Sequence, residues 1–128
     1  MTAKIPAPTV NDRAATLEQL PFWINAVNQL LTESHHVLCK ANGWDLEPYE
    51  FVQAGKGRKY LPIWKCALDD ERRSIFAFVR AADGAILKPA SMKKPALNRI
   101  RGSIFDQDVS DAITAHGVRY LDDPRLKG

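Results

Sequence analysis

The sequence predicts an α+β domain. A long N-terminal helix packs on a three- to four-stranded antiparallel meander, followed by a basic loop and a short C-terminal helix. Three observations predict it. Apolar residues recur at helical spacing through Trp23, Ala26, Val27, Leu30, Leu31, Val37, Leu38 and Ala41. From residue 49 the pattern changes to short runs rich in β-branched and aromatic residues, separated by turn signals. The helix carries a single apolar face, which needs a sheet or another helix to cover it. A chain of 128 residues suits one core. With 45% hydrophobic and 26% charged residues, it is neither a disordered chain nor a collagen nor a coiled coil.

Residues 1–15 hold Pro6 and Pro8 and read as a flexible arm. The domain is expected over 16–120 and a mobile tail over 121–128. Thr16-Leu17-Glu18-Gln19 fits a capping box, and Pro21 suits a first helical turn. Asn42-Gly43 ends the helix, with Gly43 at the left-handed cap. Residues 49–53 read as a strand and 55–57 as a turn. Residues 58–68 read as a second strand with Tyr60, Ile63, Trp64 and Cys66 as packing residues; Pro62 makes part of it an edge or a bulge. Residues 69–73 form a polar hairpin loop. Residues 74–80 (SIFAFVR) are the strongest β segment. Asp83-Gly84 is a two-residue hairpin turn leading into a fourth strand at 85–88. After a loop with Pro89, Pro95 and Gly102, Asp106 or Asp108 caps a short helix. Val109, Ala112 and Ile113 form its apolar side and Gly117 ends it.

The net charge of +3 hides an asymmetry. Residues 1–55 carry a net −3, residues 56–105 a net +8 and residues 106–128 a net −2. A basic block between acidic flanks points to a polyanionic partner, or to flanks that neutralise the middle by surface pairing. No apolar run is long enough to span a membrane. The N-terminus lacks the apolar stretch of a secretory signal, so reduced Cys39 and Cys66 in a cytosol are expected.

The most unusual segment is residues 88–103, with five basic side chains and no acidic one. On an extended backbone Arg99 and Arg101 point the same way, with Ile100 turned inward. Guanidinium groups so placed suit phosphate, with Lys88, Lys93 and Lys94 as point charges and Ser91 and Ser103 as hydroxyl donors. The alternative is a solvated basic loop after a strand. The run K-P-A-S-x-K-x-P-A, followed by R-G-S/N-I, resembles a segment of small, mostly uncharacterised phage-encoded proteins. In those it likewise follows a strand and a Gly-containing hairpin turn; the similarity covers residues 74–105. An aromatic usually stands there in place of Met92. The resemblance implies a phage or prophage origin, and with it the cytoplasm of a bacterial host. It also implies the classes common among small phage proteins: nucleic-acid binders, inhibitors of host machinery, nucleotide scavengers and minor virion components.

A second basic group, Lys56, Arg58 and Lys59, flanks the Gly55–Gly57 turn near Tyr60 and Trp64. Cations interleaved with rings suit a nucleotide, the cation for phosphate and the ring for the base. Strand alternation puts Lys59, Leu61, Ile63 and Lys65 on one face, and Tyr60, Pro62, Trp64 and Cys66 on the other. Only one face can be the core, and the large rings of Tyr60 and Trp64 are expected there. Gly55-Lys56-Gly57-Arg58 lacks phosphate-loop spacing.

Catalytic patterns are thin. His35, His36 and Cys39 lack the further ligands of a zinc site, since His116 and Cys66 stand at no recognisable spacing. Asp106, Asp108 and Asp111 miss the Gly and Glu of a calcium loop and read as caps. Ser91-Met92-Lys93-Lys94 matches S-x-x-K, but Pro95 disfavours the helix that this chemistry needs. The expectation is therefore a non-catalytic protein with no cofactor and no metal. It binds a phosphorylated partner, nucleic acid first, through Lys88, Ser91, Lys93, Lys94, Arg99, Arg101 and Ser103, with Lys56, Arg58 and Lys59 extending the patch. Two other readings stay open. One is a counter-defence protein that sequesters a small signalling nucleotide as a homo-oligomer. The other is a protein–protein module, a virion component or an inhibitor of a host enzyme.

Overall fold

The computed structural model describes residues 7–8, 11–43, 50–67, 70–97, 99–115 and 117–119. The expected tail at 121–128 and most of the N-terminal arm lie outside them, as do Tyr49 and His116. Helix α1 spans Arg13–Asn42. It starts earlier than the capping box suggests. The Asp12 carboxylate caps it, accepting from Ala15 N at 3.0 Å, because Asp is a stronger N-cap than Thr. Thr16 is then a buried first-turn residue whose hydroxyl donates to the Asp12 carbonyl. Thr16, Leu20, Trp23, Val27 and Leu31 form the buried stripe. Each large apolar side chain on it contributes about 1.5–3 kcal/mol. Pro21 sits well inside the helix rather than in its first turn. Pro21 and Leu17 are both exposed, so water can solvate the Leu17 carbonyl that loses its donor. Gly43 closes the helix at φ 68°, its N–H bonded to the Cys39 carbonyl.

The sheet has five antiparallel strands in sequence order: β1 Glu50–Ala54, β2 Tyr60–Ala67, β3 Asp70–Arg80, β4 Ala85–Leu87 and β5 Gly102–Ser103. This is one strand more than the longest meander expected. The extra strand arises because residues 102–103, placed in a loop by their glycine, pair with β4. The anticipated polar loop at 69–73 is also mostly strand, since β3 begins at Asp70, opposite Ala67. Pro62 is accommodated within β2 beside an irregularity between Ile63 and Trp64.

The sheet has two different faces. Leu61, Val79 and Ile86 are register partners, as are Ile63 and Ala77, and all belong to the core cluster under α1. Pro62, Phe78 and Leu87 form the next row, and directly opposed residues share a face. Tyr60, Pro62 and Trp64 therefore face away from the helix and stay half-buried, while Leu61 and Ile63 fill the core. The expectation that Tyr60 and Trp64 are core residues is corrected. Strand alternation gives the space beneath α1 to Leu61 and Ile63 of β2, with Phe76 of β3 in the same cluster.

The expected C-terminal helix is only a 3-10 turn, Val109–Asp111, with Asp108 as its cap. A small hairpin follows, β6 Ile113–Thr114 and β7 Gly117–Val118. β-branched Ile113, Thr114 and Val118 favour extended backbone, and Gly117 supplies φ 138°. Ala112, Ile113 and Val118 join the main core. No described helix is long and apolar enough to cross a membrane.

Candidate functional site

The turn between β1 and β2 is built from below. Arg13, in the first turn of α1, donates to the carbonyls of Arg58 at 2.6 Å and Gly57 at 2.9 Å. The Lys59 carbonyl accepts from Ala81 N at 2.9 Å. Gly57 is required by close approach, since a Cβ there would lie 2.0 Å from the Tyr60 carbonyl oxygen. These ties spend the backbone acceptors of the turn on the fold and leave the Lys56, Arg58 and Lys59 side chains exposed.

The loop after β4 is a miniature hairpin. Pro89 and Pro95 form an antiparallel bridge. Ala96 N donates to the Lys88 carbonyl, and Ala90 N and Ser91 N donate to the Lys94 carbonyl. The Ser91 hydroxyl accepts from Lys93 N and Lys94 N. Ser91 thus shapes the tip through its oxygen as an acceptor. Met92 and Lys93 occupy that tip, and Met92 is 59% exposed.

Tip and turn flank the outer face of the sheet. They enclose a groove of about 530 Å³. Tyr60, Pro62, Trp64 and Phe78 line it from the sheet, Lys56 and Lys59 from the turn, and Met92, Lys93 and Pro95 from the hairpin. None of these lining residues is acidic. Lys59 Nζ lies 5.6 Å from the centre of the Tyr60 ring. The Arg73 guanidinium sits 4.1 Å over the Trp64 ring, a cation–π contact that fixes the indole. Gly55 packs at the indole edge, where a Cβ would come within 2.9 Å of Trp64 Nε1.

The remaining basic residues have other surroundings. Arg101 is only 5% exposed, and its guanidinium donates to the Arg99 carbonyl at 2.6 Å. Burial, then the nearby Arg99 charge, pushes its pKa down. Lys88 is half-buried and donates to the Val118 carbonyl at 3.1 Å. Burial and the Arg101 charge lower its pKa too. Lys88 and Arg101 therefore tie the end of β4 and the approach to β5 to the interior. Arg99 is exposed, so the expected parallel display of Arg99 and Arg101 does not form. Ser103 organises a turn, its N–H donating to Asp106 and its hydroxyl accepting from Phe105 N. Lys94 and Arg58 are exposed and do not line the groove. Of the sequence candidates, Lys56, Lys59 and Lys93 converge.

Phe78, Pro62 and Met92 line the groove without being among the site residues expected from the sequence. The signal for Phe78 is the unbroken apolar run 75–79, which marks a strand covered on both faces. Elsewhere, Cys39 Sγ lies 3.3 Å from His35 Nε2, one turn apart on α1. Both cysteines are free thiols, and no cluster of metal-ligating side chains occurs among the described residues.

Neither a curated protein nor a solved structure matches the chain. Residues 9–118 match a family described as a family of unknown function (DUF7717). That match takes in α1, the whole sheet, the groove and the β6–β7 hairpin, and the chain belongs to this family.

Proposed function

We propose that this is a non-catalytic phage-type protein that binds a phosphorylated partner, foremost nucleic acid, in the groove between the 55–59 turn and the 88–96 hairpin. The observation that carries the reading is the convergence of Lys56, Lys59 and Lys93 over a floor of Tyr60, Pro62 and Phe78 with no carboxylate among the lining residues. Cations with aromatic surface are the two ingredients of nucleotide recognition. The three lysines are exposed, so each can contact phosphate as a point charge at little desolvation cost. Arg58, Lys94 and Arg99 add positive field around the groove. Lys88, Arg101, Ser91 and Ser103 support it by holding the loop in shape.

A second reading rests on the size of the groove. A volume of about 530 Å³ is within the range of small-molecule sites. That favours a free nucleotide as the alternative ligand, the sequestering protein of the second class. The test is the absorbance ratio at 260 and 280 nm of protein purified at low salt, with mass spectrometry of anything released on denaturation. Oligonucleotide that is lost at high salt supports the first reading. A discrete mononucleotide or dinucleotide that survives high salt supports the second. Protein that is free of both and fails to shift a labelled oligonucleotide at low salt overturns the proposal.

A further inference from the structure

We infer that the groove takes one unstacked base of a single strand, with the flanking phosphates on Lys59 and Lys93. This inference rests on the nucleic-acid reading and names the form of nucleic acid that the site accepts. It follows from the shape and chemistry of the two walls. The floor is ring and ring-like surface: half-buried Tyr60 and Pro62, with Phe78 beneath them at 3% exposure. Opposite is the hairpin tip, where Met92 presents an exposed thioether. A polarisable thioether against aromatic surface is favourable and adapts to a planar guest.

Positive charge sits on both rims, and the Lys59 ammonium lies 5.6 Å from the centre of the Tyr60 ring. Lys56 and Lys59 come from the turn, and Lys93 comes from the hairpin. A strand whose backbone crosses the groove meets a cation on each side and drops its base between them. A duplex cannot use this geometry. Its bases expose only their edges, while the groove offers apolar surface to a π face. The tip is also preorganised. The Pro89–Pro95 bridge and the Ser91 hydroxyl bonds hold Met92 and Lys93 in place before any ligand arrives. An acidic peptide with an aromatic side chain would meet the same charges, and it serves as the contrasting probe in the test.

The test uses the full chain and changes the ligand first. Fluorescence anisotropy at one low salt concentration compares four probes: a labelled single-stranded 12-mer, the same 12-mer as a duplex, a 12-mer of abasic sugar-phosphate, and an acidic peptide containing tyrosine. The inference expects the single strand to bind at least tenfold tighter than the duplex or the abasic strand, the scale of one stacked base. Met92→Ala, at an exposed position that leaves the core intact, should weaken the single strand severalfold and leave the abasic strand unchanged. Equal binding of single strand, duplex and abasic strand, all sensitive to salt, would overturn base insertion while the phosphate-binding reading stands. Binding of the peptide alone, or of no probe at all, would overturn both.

Discussion

The Arg13 guanidinium donates to the Arg58 carbonyl at 2.6 Å, joining the first turn of α1 to the turn that carries Lys56 and Lys59. Its other nitrogen reaches the neighbouring Gly57 carbonyl. Helix start and candidate groove are therefore one mechanical unit. Charge-assisted bonds of this kind contribute about 1.5–3 kcal/mol each where buried, and less at an exposed site such as this one. Arg13→Ala is expected to lower stability by roughly 1 kcal/mol and to weaken oligonucleotide binding severalfold. Urea denaturation and anisotropy on the same variant check both. Unchanged binding would show that the turn holds its shape without Arg13.

Gly57 and Gly43 should respond differently to alanine. At Gly57 the added Cβ would overlap the Tyr60 carbonyl oxygen, which is backbone and cannot swing aside. At Gly43 there is open space, and only the left-handed φ of 68° is strained. Gly43→Ala is expected to cost about 1 kcal/mol. Gly57→Ala is expected to cost several times that, about 3 kcal/mol or more, with loss of oligonucleotide binding. Denaturant midpoints for the pair check the order.

Asn28 guards the edge of β1. Its side-chain oxygen accepts from Val52 N at 2.7 Å, and its amide donates to the Val52 carbonyl at 3.1 Å. The helix thus satisfies backbone groups that would otherwise offer a pairing edge. Asn28→Ala is expected to destabilise by about 2 kcal/mol. It should also raise concentration-dependent self-association, measured by light scattering.

Stability at low pH should depend on the Arg80–Asp83 pair. Arg80 is only 3% exposed and meets Asp83 at 3.0 and 2.7 Å. Burial alone would raise the Asp83 pKa. The Arg80 hydrogen bond, the Ala85 N–H and the Arg80 charge outweigh it and hold the carboxyl below its usual 3.8. The Asp83 hydrogen bond, ahead of the opposing burial, raises the Arg80 pKa. A depressed carboxylate stabilises the fold fully above the unfolded value near 3.8 and loses that contribution as pH falls through the lower folded value. Asp83→Asn is expected to be destabilised at neutral pH, by about 1.5–3 kcal/mol for the loss of a charge-assisted bond to a buried guanidinium. It should also show a flatter stability profile below pH 4. Urea titrations across pH 2–7 measure both.

The stripe from Leu20 to Leu31 and the strand 74–80 are legible in the sequence, because burial imposes a period of 3.6 on one and leaves a continuous apolar run in the other. The helix start is less so. Thr16 and Gln19 form a plausible box, and Asp12 competes with it only once Thr16 finds a buried place on the sheet. The terminal segment misleads for a tertiary reason. Asp108 caps as expected, yet only the 3-10 turn Val109–Asp111 forms, and β6 and β7 follow as a hairpin whose β7 packs on β3. In the site, Lys56, Lys59 and Lys93 can be picked out by charge. That Arg101 is buried and Met92 exposed reverses their hydropathy: Arg101 N bonds the Ile86 carbonyl beside the β4–β5 pairing, a contact that spacing does not encode, while Met92 stands at the tip of the hairpin closed by the Pro89–Pro95 bridge.

The most direct measurement is the salt dependence of single-stranded 12-mer binding for the native protein and for Lys56→Ala/Lys59→Ala/Lys93→Ala. Each lysine that neutralises a phosphate contributes about 0.7 to the log–log slope. The account expects steep salt sensitivity in the native protein. In the triple variant it expects a slope smaller by about 2, with affinity at least tenfold lower at low salt and an unchanged denaturant midpoint. A triple variant that binds with native affinity and slope would contradict the assignment of this groove as the nucleic-acid site.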